Sequence, residues 1–209
     1  GPAASMPLEA SGYFRSRPEL ELPDMKCALV PGLSLETNRR GQQRHGFQVT
    51  VHQLRPESRG SVHIQIADPV AKPAIQPNYL SAEMDVRTMR DAVKIVRQLL
   101  AQRSFEPFRG KELAPGEAVQ SDEAIEDWVR REGRTVFHPV GTCKMGTDEM
   151  AVVDPELRVR GLERLRVADA SIMPRIVGGN TNAPTVMIAE KGADMMLRRT
   201  PLRPENGIF

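Results

Sequence analysis

Two patches near the end of the chain carry side chains able to move a proton at neutral pH. They are His138-Pro139-Val140-Gly141-Thr142-Cys143-Lys144-Met145-Gly146 and Gly178-Gly179-Asn180-Thr181-Asn182-Ala183-Pro184-Thr185. Free imidazole titrates near pH ~6.5, so His138 is a residue type that accepts a proton from a substrate hydroxyl without a large environmental shift. A base so placed is worth roughly 10²–10⁴ in rate. The Asn182 carboxamide can donate a hydrogen bond to the oxygen that turns negative as the proton leaves. The pair suits alcohol oxidation, but neither side chain can receive a hydride, so an organic cofactor must do so.

These residues need elements to hold them. Proline biases its predecessor toward extended geometry, which places His138 at a strand end or loop. Asn182 stands where a helix should begin, as an N-cap with Pro184 in the first turn. That helix is expected to run to about Arg199, with Met187, Met195 and Met196 packed in the core. Upstream, Met25–Leu29 reads as a strand and Glu36–Gly46 as an exposed polar loop, while residues 1–24 read as loop. Phe47, Val49 and Val51 alternate with polar residues, as do Val62, Ile64 and Ile66. With Arg55–Gly60 as a turn, the two runs predict an antiparallel pair. Ser81 is expected to cap a five-turn helix whose apolar stripe runs through Val86, Met89, Val93, Val96 and Leu100, widened by Ala92, Ile95 and Leu99. A shorter helix from Ser121 should bury Ile125, Trp128 and Val129 and end near Gly133. Leu157–Val159 and Leu165–Ala168 read as short strands before the last helix. Strands followed by helices, rather than a βαβ alternation, give an α+β class: an antiparallel sheet backed by helices, then a C-terminal strand–helix segment. A change of domain is expected near Ala151, dividing the chain into 1–150 and 151–209, with His138 at the junction.

Composition narrows the function. The 209 residues hold 29 Lys+Arg against 27 Asp+Glu, a net charge of +2 that gives no footing for nucleic-acid binding. Only two cysteines, Cys27 and Cys143, fit a reducing, cytoplasmic compartment, with a single bridge left open. No apolar run approaches the roughly 18–20 residues of a transmembrane segment, and peripheral contact with a membrane stays open. Gly1-Pro2-Ala3-Ala4-Ser5, without an initiator methionine, reads as a start within a longer polypeptide rather than as a protease scar.

The residues also resemble a known family. The run Phe137-His138-Pro139 through Gly146, Val152-Val153-Asp154, Leu165–Pro174 and Gly179–Lys191 closely resembles the C-terminal part of the glucose-methanol-choline (GMC) oxidoreductases, which are FAD-dependent alcohol dehydrogenases and oxidases. The resemblance is specific over 135–197. It extends more loosely to the rest, including Leu54–Gly60, similar to the family's substrate-domain sheet, and Pro77–Ser81, similar to the entry to its long helix. It implies FAD as cofactor, His138 as the histidine that takes the alcohol proton while a hydride passes to the flavin, and Asn182 at the second active-site position. It further implies that Asp169 and Ala170 approach the FAD pyrophosphate and ribose. Asn182, Pro184 and Thr185 would lie at the flavin pyrimidine ring, and Val136 and Phe137 would border the substrate cavity.

The family's Gly-x-Gly-x-x-Gly segment for the ADP half of FAD does not occur in these 209 residues. The resemblance therefore implies a partner portion, the N-terminal FAD-binding part, either as a separate chain or as a preceding segment. The implied reaction is oxidation of a small primary alcohol to an aldehyde, with the electron acceptor (oxygen, quinone or another carrier) unassigned. The motif is more similar to bacterial alcohol and choline dehydrogenases than to fungal sugar oxidases, although 4% aromatic residues offer few ring faces for a quaternary ammonium. The competing reading is a non-catalytic, partner-binding module, inactive without its N-terminal half. A zinc site from His138 and Cys143 lacks a complete ligand set, so no metal is expected. Cys143 reads as a small packed residue rather than a nucleophile. His45, His52 and His63 are explained by loop and polar strand-face positions.

Overall fold

The computed structural model describes residues 10–33 and 45–200. Most of the loop expected at Glu36–Gly46, and the first residues of the N-terminal loop, lie outside that range. The chain divides into two compact units, Gly1–Val136 and Phe137–Phe209. This division precedes His138, whereas the sequence places a change of domain near Ala151. Backbone hydrogen bonds explain the earlier break: Cys143 N–H donates to Ser171 C=O (3.0 Å), Met145 N–H to Ile172 C=O (2.7 Å) and Gly146 N–H to Val153 C=O (3.1 Å). They tie the residues just before Ala151 to those just after it.

In the first unit an antiparallel sheet has the order β1 (Ala10–Phe14), β2 (Met25–Pro31), β3 (Phe47–Gln53). β2 is central and carries the buried Met25, Cys27 and Ala28. Part of the expected N-terminal loop is thus a strand, with Gly12 opposite Cys27 and Phe14 opposite Met25. Strand β3 pairs with β2, Val51 facing Cys27, and not with the apolar run that follows it. That run supplies only β4 (Ser61–His63), paired with β5 (Ala74–Gln76). The expected Phe47–Ile66 hairpin fails because its turn has other partners: Glu57 and Ser58 give their N–H groups to the Asp85 carboxylate. Gly60 then brings the chain so close to β5 that a Cβ there would stand 2.2 Å from Gln76 C=O.

Helix α1 spans Glu83–Leu100 and α2 spans Asp122–Glu132. Val93 of α1 packs with Ile125 and Val129 of α2, and Leu80, Met89, Val119 and Trp128 close around them. Arg90 reaches across to Asp122 (3.3 Å) and Glu126 (3.0 Å). Ser121 caps α2 as expected, its hydroxyl accepting from Ala124 N–H at 3.2 Å. Gly133 ends the helix where a Cβ would meet Val129 C=O at 2.6 Å. Ser81 does not cap α1, whose N-cap is Ala82. Leu99, expected in the stripe, is exposed near the helix end.

The second unit is built on Val153, Leu157, Ile172, Met173 and Ile188. The expected strands at Leu157–Val159 and Leu165–Ala168 reduce to single bridges, Val153 with Val159 and Arg158 with Arg166. Helix α3, Asn182–Leu197, lies against this core through Ile188, Gly192 and Met195. Met187 and Met196 are exposed, so the expectation that all three methionines pack inward holds for Met195 alone. The class is α+β, an antiparallel sheet with helices, as the sequence implies. Cys27 and Cys143 are both free thiols. Among the described residues, no helix is long and apolar enough to cross a membrane.

Candidate active site

His138 is presented by irregular chain held at both sides. Before it, Phe137 adopts φ 59°, a left-handed conformation that non-glycine residues rarely take. After it, Pro139 blocks helical continuation. Gly141 turns at φ 91°, where a side chain would be strained, and its Cβ position lies 3.4 Å from Met173 C=O. Val140 and Met145 then enter the core. The histidine sits on a short anchored arch, itself half-buried.

Both imidazole nitrogens meet the residues just ahead of α3. Thr181 Oγ1 lies 2.8 Å from Nδ1, and Asn180 Nδ2 lies 3.3 Å from Nε2. Thr181 is the N-cap residue of α3 and is buried, whereas Asn180 is exposed. The ring therefore turns Nδ1 inward and Nε2 toward the accessible side. Sequence reasoning selected Asn182 and missed Asn180 and Thr181. Asn182 is not the N-cap but the first residue of α3, and it is exposed. One signal for the shift was present: the third residue of the helix is Pro184, which has no N–H for a capping oxygen to receive. Thr181 makes no cap hydrogen bond and points its hydroxyl at His138 instead.

The start of α3 is electrostatically bare. Its first turn holds no acidic residue and no side chain caps it. By contrast α1 begins with Glu83 and Asp85, and α2 with Asp122 and Glu123. The positive end of a helix of this length attracts negative charge. Thr185 turns back on the helix, its hydroxyl donating to Thr181 C=O at 2.6 Å. Asp169 is exposed at the start of a 3-10 turn, Ala170–Ile172, and accepts from Ser171 N–H at 2.7 Å. Ala170 packs on the core. Val136 and Phe137, in the segment leading to His138, are both exposed apolar side chains, Phe137 at 82%. The structure thus joins His138 to the α3 entry through Asn180 and Thr181 and leaves Asn182 beside that contact.

Residues 56–189 match the family model described as GMC oxidoreductase. The chain is 46% identical over 202 residues to an oxygen-dependent choline dehydrogenase of Pseudomonas syringae pv. tomato, covering 97% of this chain and 36% of that protein. It is 48% identical over 202 residues to the protein of the same name from Cronobacter sakazakii, with the same coverage of 97% and 36%. The chain therefore spans little more than a third of the length of the curated relatives it matches. Among solved structures, pyridoxine 4-oxidase from Mesorbium loti superimposes with a TM-score of 0.81 at 28% identity, over 93% of this chain and 39% of that one. A formate oxidase of Aspergillus oryzae, solved to examine its FAD modification, gives a TM-score of 0.78 at 28% identity, over 86% and 32%. A match over more than half the chain, carrying both the His138 and Asn182 patches, places it in the GMC oxidoreductase family, of which it holds the C-terminal domain.

Proposed function

We propose that this chain is the C-terminal part of an FAD-dependent enzyme that oxidises a primary alcohol to an aldehyde, with His138 as the base. The observation that carries the reading is the His138 ring, half-buried and held at both nitrogens beside the bare start of α3. By function rather than by packing, residues 1–150 would supply the substrate-binding part and 151–209 would complete the FAD-binding part, a division distinct from the compact units that break after Val136, with the glycine-rich portion supplied by the rest of the enzyme. The cofactor fits the residues present: an uncapped helix start without acidic side chains suits an anionic group, and no carboxylate in that turn competes for it. Asn182, Pro184 and Thr185 would border the flavin ring, and Asp169 and Ala170 the ribose and pyrophosphate. FAD, when bound, accepts the carbinol hydride.

The chain's own residues do the rest. His138 Nε2 takes the hydroxyl proton as the O–H bond breaks, leaving an imidazolium. The Asn182 amide donates to the alcohol oxygen as negative charge grows on it. Val136 and Phe137 offer apolar surface to the substrate carbon chain. Choline is the first alcohol to test, because the 46% and 48% identical relatives are named as choline dehydrogenases.

The test is stopped-flow reduction of bound flavin by alcohol in the FAD-loaded enzyme. His138→Ala should slow reduction by at least about 10² while FAD stays bound. Unchanged kinetics would remove His138 from the chemistry. The second reading is a partner-binding module without catalysis. Flavin-loaded enzyme that no alcohol reduces would favour it.

A further inference from the structure

We infer that Thr181 is a positioning residue for His138: it accepts a hydrogen bond from Nδ1–H and so leaves the Nε2 lone pair facing the substrate side. This deepens the reading of His138 as base and rests on it.

A threonine at an N-cap ordinarily accepts from the N–H of the second or third helical residue. Here the third is Pro184, with no N–H, and Thr181 makes no cap bond at all. Its buried hydroxyl is instead 2.8 Å from His138 Nδ1. A hydroxyl at this position that forgoes the cap forgoes a helix-stabilising bond, and the contact it makes instead is with the histidine.

The direction of the bond follows from the other nitrogen. Nε2 faces the exposed Asn180, whose amide nitrogen is the atom at 3.3 Å. An amide N–H donating to Nε2 requires that nitrogen to carry a lone pair, and a neutral ring with a lone pair on Nε2 carries its proton on Nδ1. Left alone, a histidine ring prefers its proton on Nε2. The opposite tautomer therefore needs an acceptor at Nδ1, and Thr181 Oγ1 is placed to be one. The arrangement also favours the reaction: when Nε2 gains the alcohol proton the ring becomes cationic, and the Nδ1–H bond to Thr181 becomes charge-assisted. The interaction is stronger after proton transfer than before it, which is the condition for lowering a barrier. Asn180 holds the ring in the resting state and yields Nε2 to the substrate hydroxyl.

The experiment uses the FAD-loaded enzyme with 15N-labelled histidine, the His138 signal being assigned by its loss in His138→Gln. The wild-type neutral ring should show Nδ1 protonated and Nε2 unprotonated. Thr181→Val should move it toward the other tautomer and lower kcat for alcohol-driven flavin reduction roughly tenfold to a hundredfold, with KM within about twofold. Thr181→Ser, which keeps the oxygen, should restore both signals. A wild-type ring protonated at Nε2, or a Thr181→Val enzyme with wild-type kcat, overturns the inference while leaving His138 as base. Full activity in His138→Gln overturns the underlying reading as well. If Thr181→Val loses its fold or its flavin, the wild-type tautomer decides by itself.

Discussion

The starts of α1 and α3 meet the same problem, unpaired N–H groups at a positive helix end, and resolve it oppositely. At α1 the chain closes the end with its own groups. Asp85, the third helical residue and only 1% exposed, accepts from Gln53 Nε2 (2.8 Å), Glu57 N–H (2.9 Å), Ser58 N–H (2.8 Å) and the Ser58 hydroxyl. Ser58 Oγ in turn accepts from the N-cap N–H of Ala82 at 3.1 Å. The buried carboxylate and the N-cap N–H are thus joined through Ser58, a residue from a distant loop, although Ala82 itself has no side-chain cap bond. At α3 the N-cap Thr181 makes no cap bond, the first turn holds no acid, and the Thr181 hydroxyl serves His138. The first helix start is tied into the chain's own polar network, and the second is the one at which an anionic group of the cofactor is proposed to lie.

That contrast can be broken at its strongest point. Asp85→Ala would strand four donors around a buried void and should cost about 3–5 kcal/mol, read as a lower urea midpoint. The same carboxylate sets an acid limit. Burial raises its pKa, but the hydrogen bonds from Glu57, Ser58 and Gln53 together outweigh burial and hold the group below its ordinary value. With a folded pKa below the unfolded one, the unfolded chain binds more protons in the window between them. The stabilisation is complete above about pH 4, the unfolded value, and is lost as pH falls through the folded value. Asp85→Asn should flatten that acid limb in chemical denaturation at stepped pH; an unchanged limb would assign acid sensitivity elsewhere. Ser121→Ala, removing an ordinary cap, should cost about 1 kcal/mol by the same unfolding measurement. The smallest effect sharpens the other side. Ala183→Asp puts an acid into the bare first turn of α3 and should stabilise that helix by about 0.3–1 kcal/mol while lowering the ratio of flavin absorbance to protein. Equal flavin content would mean that the open end is not a charge site.

Several features were legible before the structure because their causes are local. Ser121 and Gly133 bound α2 through cap chemistry and a close approach. The spacing of Val86, Ala92 and Val93 gave the buried face of α1. What failed was decided by partners far along the chain. The turn at Arg55–Gly60 looks like a hairpin until Asp85 claims its N–H groups. Ser81 looks like a cap, but the helix starts one residue later and the Ala82 N–H is taken by Ser58 from a distant loop. At the site, His138 stood out by residue type, whereas Asn180 and Thr181 were hidden in a polar run where any of several residues could have begun the helix. Pro184 was the discriminating residue, through a missing donor rather than through any group it presents.

Phe137 has a consequence for anyone seeking a hardier protein. A phenylalanine at φ 59° sits in a conformation that costs of order 1–2 kcal/mol relative to glycine, immediately before the residue proposed to take the proton. Selection for thermal endurance would reach Phe137→Gly early, because the backbone there already has glycine's shape. The same exchange would remove an exposed ring and loosen the arch that aims His138. At this position, endurance and the proposed alcohol oxidation are expected to be traded against each other, and a library scored only by heating would select against the latter.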